Sequence, residues 1–252
     1  MTLSDFYRKA SNTLRKLLIG KVKNRQTYIN ALKGKSGLEI GGPSSAFTSN
    51  GILPIYPHIF HLDNCNFSNS TVWEGKLKEG ISFQFDNKKG YQYIREAADL
   101  HGIEDEKYDF LLSSHCLEHC ANAVKTLKEW TRVVNKRGFL LIIVPHKDHT
   151  FDHNRPLTTL EHFLEDERNN TDEKDLFHLE EILKYHDLKM DKHAGTLAQF
   201  TNRSKDNFQN RCLHHHTFNN QNIAELIQYV GLKIIAQDFK APYHCIILAQ
   251  KG

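Results

Sequence analysis

Long apolar runs are missing from this 252-residue chain. No stretch approaches the roughly 20 apolar residues that span a bilayer. The N-terminus has neither the apolar core nor the cleavage pattern of a secretory leader. Paired cysteine spacing is missing too. The five cysteines, at 65, 116, 120, 212 and 245, are odd in number and form no CxxC pair. Free thiols in a reducing cytoplasm are the simplest account. Charge of one sign is scarce: the net value is +3, too little to argue for nucleic acid. No HExxH or H-x-E-x-H spacing marks a zinc site. What remains is a globular composition, 39% hydrophobic and 25% charged, long enough for one α/β domain with an insertion.

The abundant residue is histidine. There are 16, and 12 of them fall between His115 and His216. Imidazole is the usual neutral-pH base and the commonest metal ligand, so this clustering points to chemistry in the second half.

Along the chain, residues 1–33 read as a basic helical arm, with Leu14, Leu17, Leu18 and Val22 at helical spacing. Lys35–Ser45 is an apolar run, Leu38 to Ile40, ending in Gly41-Gly42. It reads as a buried strand turning into a loop and then a helix or loop over about 44–56. Glycine permits positive φ and close approach of a ligand at such a turn. Glu39 places a charge inside the run, which costs free energy unless paired or used. Ile59–Asp63 reads as a second strand ending in an acid. In doubly wound folds that acid accepts from ribose hydroxyls. Residues 66–92 lack periodicity, and the third strand falls at 81–85 or 91–95. Tyr108–Ser114 is a strand and 121–134 an amphipathic helix, with Gly138 expected just past its end. Phe139–Val144 is unbroken and apolar, as a central parallel strand should be. A polar loop, 146–155, follows Pro145. Helices are expected at 158–166, 176–187 and 220–230, with a polar loop up to Arg211, and two last strands at 232–239 and 243–249.

Glu39 with Gly41-Gly42 resembles the first motif of class I S-adenosylmethionine (SAM) methyltransferases, with Pro43-Ser44 where a third glycine usually stands. Tyr93–Leu100 resembles their third motif. Ser113-Ser-His-Cys-Leu-Glu-His119 closely resembles the fourth motif of the Leu-Glu-His type, and 128–145 its following helix-to-strand unit. The resemblance covers roughly 36–146. It implies a Rossmann-like α/β fold: a mostly parallel seven-stranded sheet with an antiparallel last strand, an N-terminal helical arm over 1–33, and a methyltransferase domain over 34–252 with a helical substrate-recognition insertion at 146–216. It implies SAM held by Glu39, Gly41, Gly42, Asp63, Glu96, Ala97, Ser114 and His115, with Asp86 competing with Glu96 for the adenine amine. The stretches 113–122, 144–166 and 210–218 resemble methyltransferases of bacterial surface or capsular polysaccharide gene clusters. That implies O-methylation of a sugar or nucleotide sugar in the cytoplasm, with no nucleic-acid partner and with homo-oligomer formation left open.

Methyl transfer asks the protein chiefly for alignment. An alcohol acceptor also needs a base or a divalent metal ion. The candidates for base are His146, His153 and His215, and those for metal are His149, Asp152 and His216, because the loop 146–155 and the triplet 214–216 should flank the strands' carboxyl ends. Arg155, Lys147 and Arg211 are candidate phosphate contacts. His162, His178 and His186 read as surface or ion-pair residues. The competing readings are methylation of another metabolite or amine, and a histidine-rich metal-dependent hydrolase that ignores SAM.

Overall fold

A computed structural model describes residues 22–252, so most of the expected arm lies outside the described residues. The described part of it forms α1 (Arg25–Leu32), which buries Tyr28, Ile29 and Leu32. Tyr28 Oη donates to Asp238 Oδ2 at 2.7 Å, tying α1 to the far edge of the sheet.

In chain order the strands are β1 (Ser36–Ile40), β2 (His61–Asn66), a small hairpin of β3 (Ser70–Thr71) and β4 (Gly75–Lys76), β5 (Gly80–Phe85), β6 (Lys88–Ile94), β7 (Tyr108–Ser114), β8 (Val134–Pro145), β9 (Lys233–Lys240) and β10 (His244–Gln250). The main sheet runs β5-β6-β2-β1-β7-β8-β10-β9. Its centre, from β6 to β8, is parallel. β10 lies antiparallel between β8 and β9.

The sheet therefore has eight strands rather than the expected seven. The extra one is β5, which pairs antiparallel with β6 at the edge. Both proposed positions of the third strand are strands. β5 buries only Phe83 and Phe85, and its alternation was masked by the polar and aromatic residues around it. Asp86 turns this hairpin at φ +51°.

Side chains alternate across the sheet. Leu140, Ile142 and Val144 join Trp130, Leu127, Leu226 and Ile227 on one face. Leu141 and Ile143 join Phe47, Leu53, Tyr56 and α1 on the other. The first face is covered by α2 (Ala123–Val133) and α7 (Asn220–Tyr229). No α-helix follows β1. Pro43, Gly51, Pro54 and Pro57 leave only short 3-10 turns at Ser45–Phe47 and Tyr56–His58, since proline lacks the amide a helix interior needs. Gly138 is inside β8, not past a helix: α2 ends at Val133, and a Cβ at Gly138 would meet Asp109 O on β7 at 2.7 Å.

Between β8 and α7 lie α3 (Leu160–Arg168), α4 (Leu179–Tyr185), α5 (Leu197–Lys205) and α6 (Asn207–Asn210). α4 and α5 share a small core of Ile182, Phe200, Ala194 and Leu213, whereas Phe163 of α3 joins the main core beside the sheet. The expected polar loop up to Arg211 thus contains two helices, α5 and the single turn α6, and α5 is the longer. Thr196 and Gln199 form the reciprocal capping box that starts it, a Thr-x-x-Gln signal present in the sequence. Among the described residues no helix is long and apolar enough to cross a membrane.

Candidate active site

The carboxyl ends of β1, β2, β6 and β7 open into one cavity of about 710 Å³. Open parallel sheets place ligands at this edge. The turn after β1 is built for close approach. Gly41 has φ +78°, and a Cβ there would meet only Cys116, at 3.4 Å. Two buried asparagines clamp the next peptide. Asn64 Oδ1 accepts from Gly42 N and Asn64 Nδ2 donates to Gly42 O, both at 3.0 Å; Asn66 Nδ2 donates to the same oxygen at 3.2 Å. Asn64 Nδ2 also reaches Gln92 Oε1 at 2.9 Å. Asn64→Ala should therefore destabilise the protein by about 1–3 kcal/mol, because buried polar groups lose their partners. Urea unfolding of the two proteins measures it.

Glu39 lies beneath this turn, fully buried. It accepts from Ser44 N at 3.1 Å and from Tyr56 Oη at 2.7 Å. Burial pushes its pKa up to about 7, and the bonds from Tyr56 and Ser44 only partly oppose this.

On the opposite wall stand Glu118, His119 and His214. One ligand-capable atom from each lies within 4.8 Å of the others. His119 Nδ1 donates to Leu213 O at 2.9 Å, and His214 Nδ1 donates to Asp152 Oδ2 at 2.6 Å. Both bonds leave Nε2 as the free ring nitrogen. Burial, then His214, brings the His119 pKa down to about 4. Burial also lowers that of His214, but Asp152 more than reverses it and the net direction is up. Glu118 Oε2 is buried with no hydrogen-bond partner. The Trp73 ring, on the β3–β4 hairpin, stands 5.4 Å from the His119 ring and lines the same cavity.

The cavity gathers Gly41, Glu96, Ala97, Ser114, His115 and His149 from the sequence-derived candidates. Glu39 and Gly42 lie directly behind its glycine turn. Asp63 does not reach it. β2 continues three residues past Asp63, to Asn66, and Asp63 is held inside by Tyr108 Oη (2.7 Å), Tyr91 N (2.7 Å) and His61 Nε2 (2.9 Å). Asn66 lines the cavity instead. Glu96 does line it, paired with Arg211 Nη2 at 2.6 Å.

None of the three candidate bases lines the cavity. His146 packs edge-on against Phe239. His153 pairs with Asp187 at 3.1 Å. His215 is buried against Asn207 at 3.1 Å. Of the metal candidates, Asp152 supports His214 from behind. His216 turns toward Asp166, at 3.7 Å, and His162; only His149 reaches the cavity. Nor is Arg155 free for phosphate, because it is consumed by Asp152, Glu181 and the carbonyls of His214 and His215. His162 and His178 are bonded to each other at 2.8 Å, and the ion-pair alternative holds for His162, 3.4 Å from Asp166, and for His186, 3.2 Å from Asp191.

The cavity-lining residues that sequence reasoning did not choose for the site are Glu118, Asn66, Trp73, Glu173 and, within the triplet, His214. Glu118 and His119 were visible in the Leu-Glu-His tripeptide, which forms a 3-10 turn at Leu117–His119 rather than opening α2.

Residues 71–142 match the family described as "Methyltransferase domain". No curated protein matches the chain by sequence. Among solved structures, the chain is similar to an S-adenosylmethionine-dependent methyltransferase of Mesorhizobium loti, with TM-score 0.51 and 9% identity over 90% of this chain and 95% of that one. A chain from Listeria monocytogenes assigned to the same class gives TM-score 0.50 and 14% identity over 91% and 96%.

Proposed function

Starting from a SAM-dependent methyltransferase domain on a Rossmann-like α/β fold, we propose that the chain O-methylates a hydroxyl of a sugar-like small molecule. The observation that carries this is the pairing, in one cavity, of an open glycine turn with the Glu118–His119–His214 group. The residues suit an adenosyl ligand. A Cβ at Gly41 would project into the cavity with little to meet, and Ser114 Oγ is buried there without a partner. Gly41, Ser44, Asn66, Glu96 and Ala97 would hold it, Asn66 taking the ribose role first given to Asp63. When bound, SAM supplies an electrophilic methyl group.

The chain's own residues do the rest. The glycine turn and Asn66 fix the donor side. The segment 146–216 supplies the acceptor wall through His149, Phe151, Glu173, Arg211 and His214, consistent with a substrate-recognition insertion. Trp73 offers an apolar face beside polar groups, the mixture that an alcohol-rich ring matches. Glu118, His119 and His214 face the space where a hydroxyl must lose its proton. The sugar assignment rests also on the resemblance of 113–122, 144–166 and 210–218 to polysaccharide-cluster enzymes. A nucleotide handle has less support, since Arg155 is internal and Arg211 is paired with Glu96 and Glu173. An amine acceptor would need no proton-accepting group of this kind at its nitrogen once neutral.

Two measurements test the proposal. Calorimetric titration with S-adenosylhomocysteine should show one site per chain, weakened at least tenfold by Gly41→Val. Labelled SAM with a panel of free and nucleotide-linked sugars should yield a methyl ether stable to mild base. Labelling of amines alone would replace the acceptor class.

A further inference from the structure

We propose that Glu118, His119 and His214 bind one divalent transition-metal ion at the acceptor side of the cavity. This rests on the methyltransferase reading above and specifies how its hydroxyl is activated. Two imidazoles and one carboxylate on one side of a site, with the other positions open, are a recurrent ligand set for first-row divalent ions. Magnesium and calcium favour all-oxygen shells.

Three independent observations favour a cation over a bare hydrogen-bond cluster. The candidate ligand atoms converge within 4.8 Å. Each imidazole has its Nδ1 bonded away from the others, to Leu213 O and to the Asp152 carboxylate, which is how metal-ligating histidines are usually oriented. And Glu118, with its side chain 1% exposed, carries an oxygen that accepts nothing. A buried carboxylate oxygen without a donor costs free energy, and a cation removes that cost.

Asp152 is a positioning residue in this arrangement. It is buried and also gripped by Arg155 Nη1 at 3.1 Å, so it holds the His214 ring rather than the ion. Near the ion an alcohol becomes more acidic. It would give its proton to cavity water, and the oxygen would keep the electron pair used in the new bond to the methyl carbon, while that carbon's bond to the sulfonium sulfur breaks and leaves its electron pair on sulfur, giving S-adenosylhomocysteine.

The described residues contain a second His–Asp group, His162, Asp166 and His216, and the test must separate the two. Chelator-treated protein is titrated with cobalt(II), read by visible absorption and calorimetry, with S-adenosylhomocysteine binding measured in parallel. One cobalt per chain is expected. Affinity should fall at least tenfold in His119→Ala, His214→Ala and Glu118→Gln, and about 10–100-fold in Asp152→Asn, while His162→Ala keeps it. In the unaltered protein, manganese(II) should broaden the ring signals of His119 and His214 before those of His162 and His216. That readout stands even where a variant does not fold. Cobalt affinity unchanged by His119→Ala and His214→Ala, or lost only in His162→Ala, overturns the metal site while leaving the methyltransferase reading intact. Absence of S-adenosylhomocysteine binding at every cobalt level overturns the reading of the cavity, and with it the role given to the ion.

Discussion

Arg155→Ala is expected to cost the fold roughly 3–5 kcal/mol, the usual loss when one partner of a buried ion pair is removed. The guanidinium is 1% exposed, like Asp152 at 3%. It donates to Glu181 Oε1 at 2.9 Å, Asp152 Oδ1 at 3.1 Å, His214 O at 2.8 Å and His215 O at 3.3 Å. Truncation leaves a carboxylate and two carbonyls in the interior without their donor. Burial alone would raise the Asp152 pKa; His214 and Arg155 together hold it well below the usual carboxylate range. Without Arg155 only His214, the larger of the two influences, still opposes burial. For a chain of this length the loss corresponds to a melting temperature lower by roughly 10 °C. Limited proteolysis should then cut first within 146–216, because Arg155 fastens the loop after β8 to the histidine triplet. A change under about 1 kcal/mol would mean that the group is solvated and does not organise the acceptor wall.

The sheet's centre was legible because its physics is local. Phe139–Val144 is apolar at every position, and only a strand covered on both faces tolerates that. The antiparallel end was legible from two apolar runs joined by a short Pro-containing turn. Of the residues lining the cavity, those at the glycine turn were legible in the sequence and those on the histidine-bearing wall were poorly legible. Asp63 was misplaced because Asn64, Cys65 and Asn66 look like loop. In the fold they are the last residues of β2, held in the sheet by pairing with β6 and by their bonds to the Gly42 peptide. Such polar strand residues are intelligible only once the turn that they clamp is known.

The triplet shows the other difficulty. Consecutive residues of an extended segment point in different directions. His214 meets Asp152 and the cavity, His215 meets Asn207, and His216 meets Asp166. Composition announced that imidazoles matter, but which one faces the cavity depends on contacts more than 60 residues apart in sequence, as with Asp152. No periodicity carries that information.

Glu39 gives the second large effect, and its sign follows from its burial. Its folded pKa is about 7 against 4.5 for an ordinary glutamate, so the folded state holds the proton more tightly than the unfolded chain. The stabilisation is fully present below pH about 4.5 and is lost as pH rises through about 7. At about 1.36 kcal/mol per pH unit between those two values, the loss comes to roughly 3.4 kcal/mol. Glu39→Gln keeps the shape of the neutral acid and cannot ionise. Unfolding by denaturant at pH 5 and at pH 8 should therefore show the variant close to the unaltered protein at pH 5, and more stable by up to about 3 kcal/mol at pH 8. The histidines titrate in both proteins and cancel in the difference. An equal gap at both pH values would mean that Glu39 is ionised throughout, with Tyr56 and the Ser44 amide outweighing burial. The charge beneath the glycine turn would then be a permanent feature of the cavity floor rather than one that appears only near neutral pH.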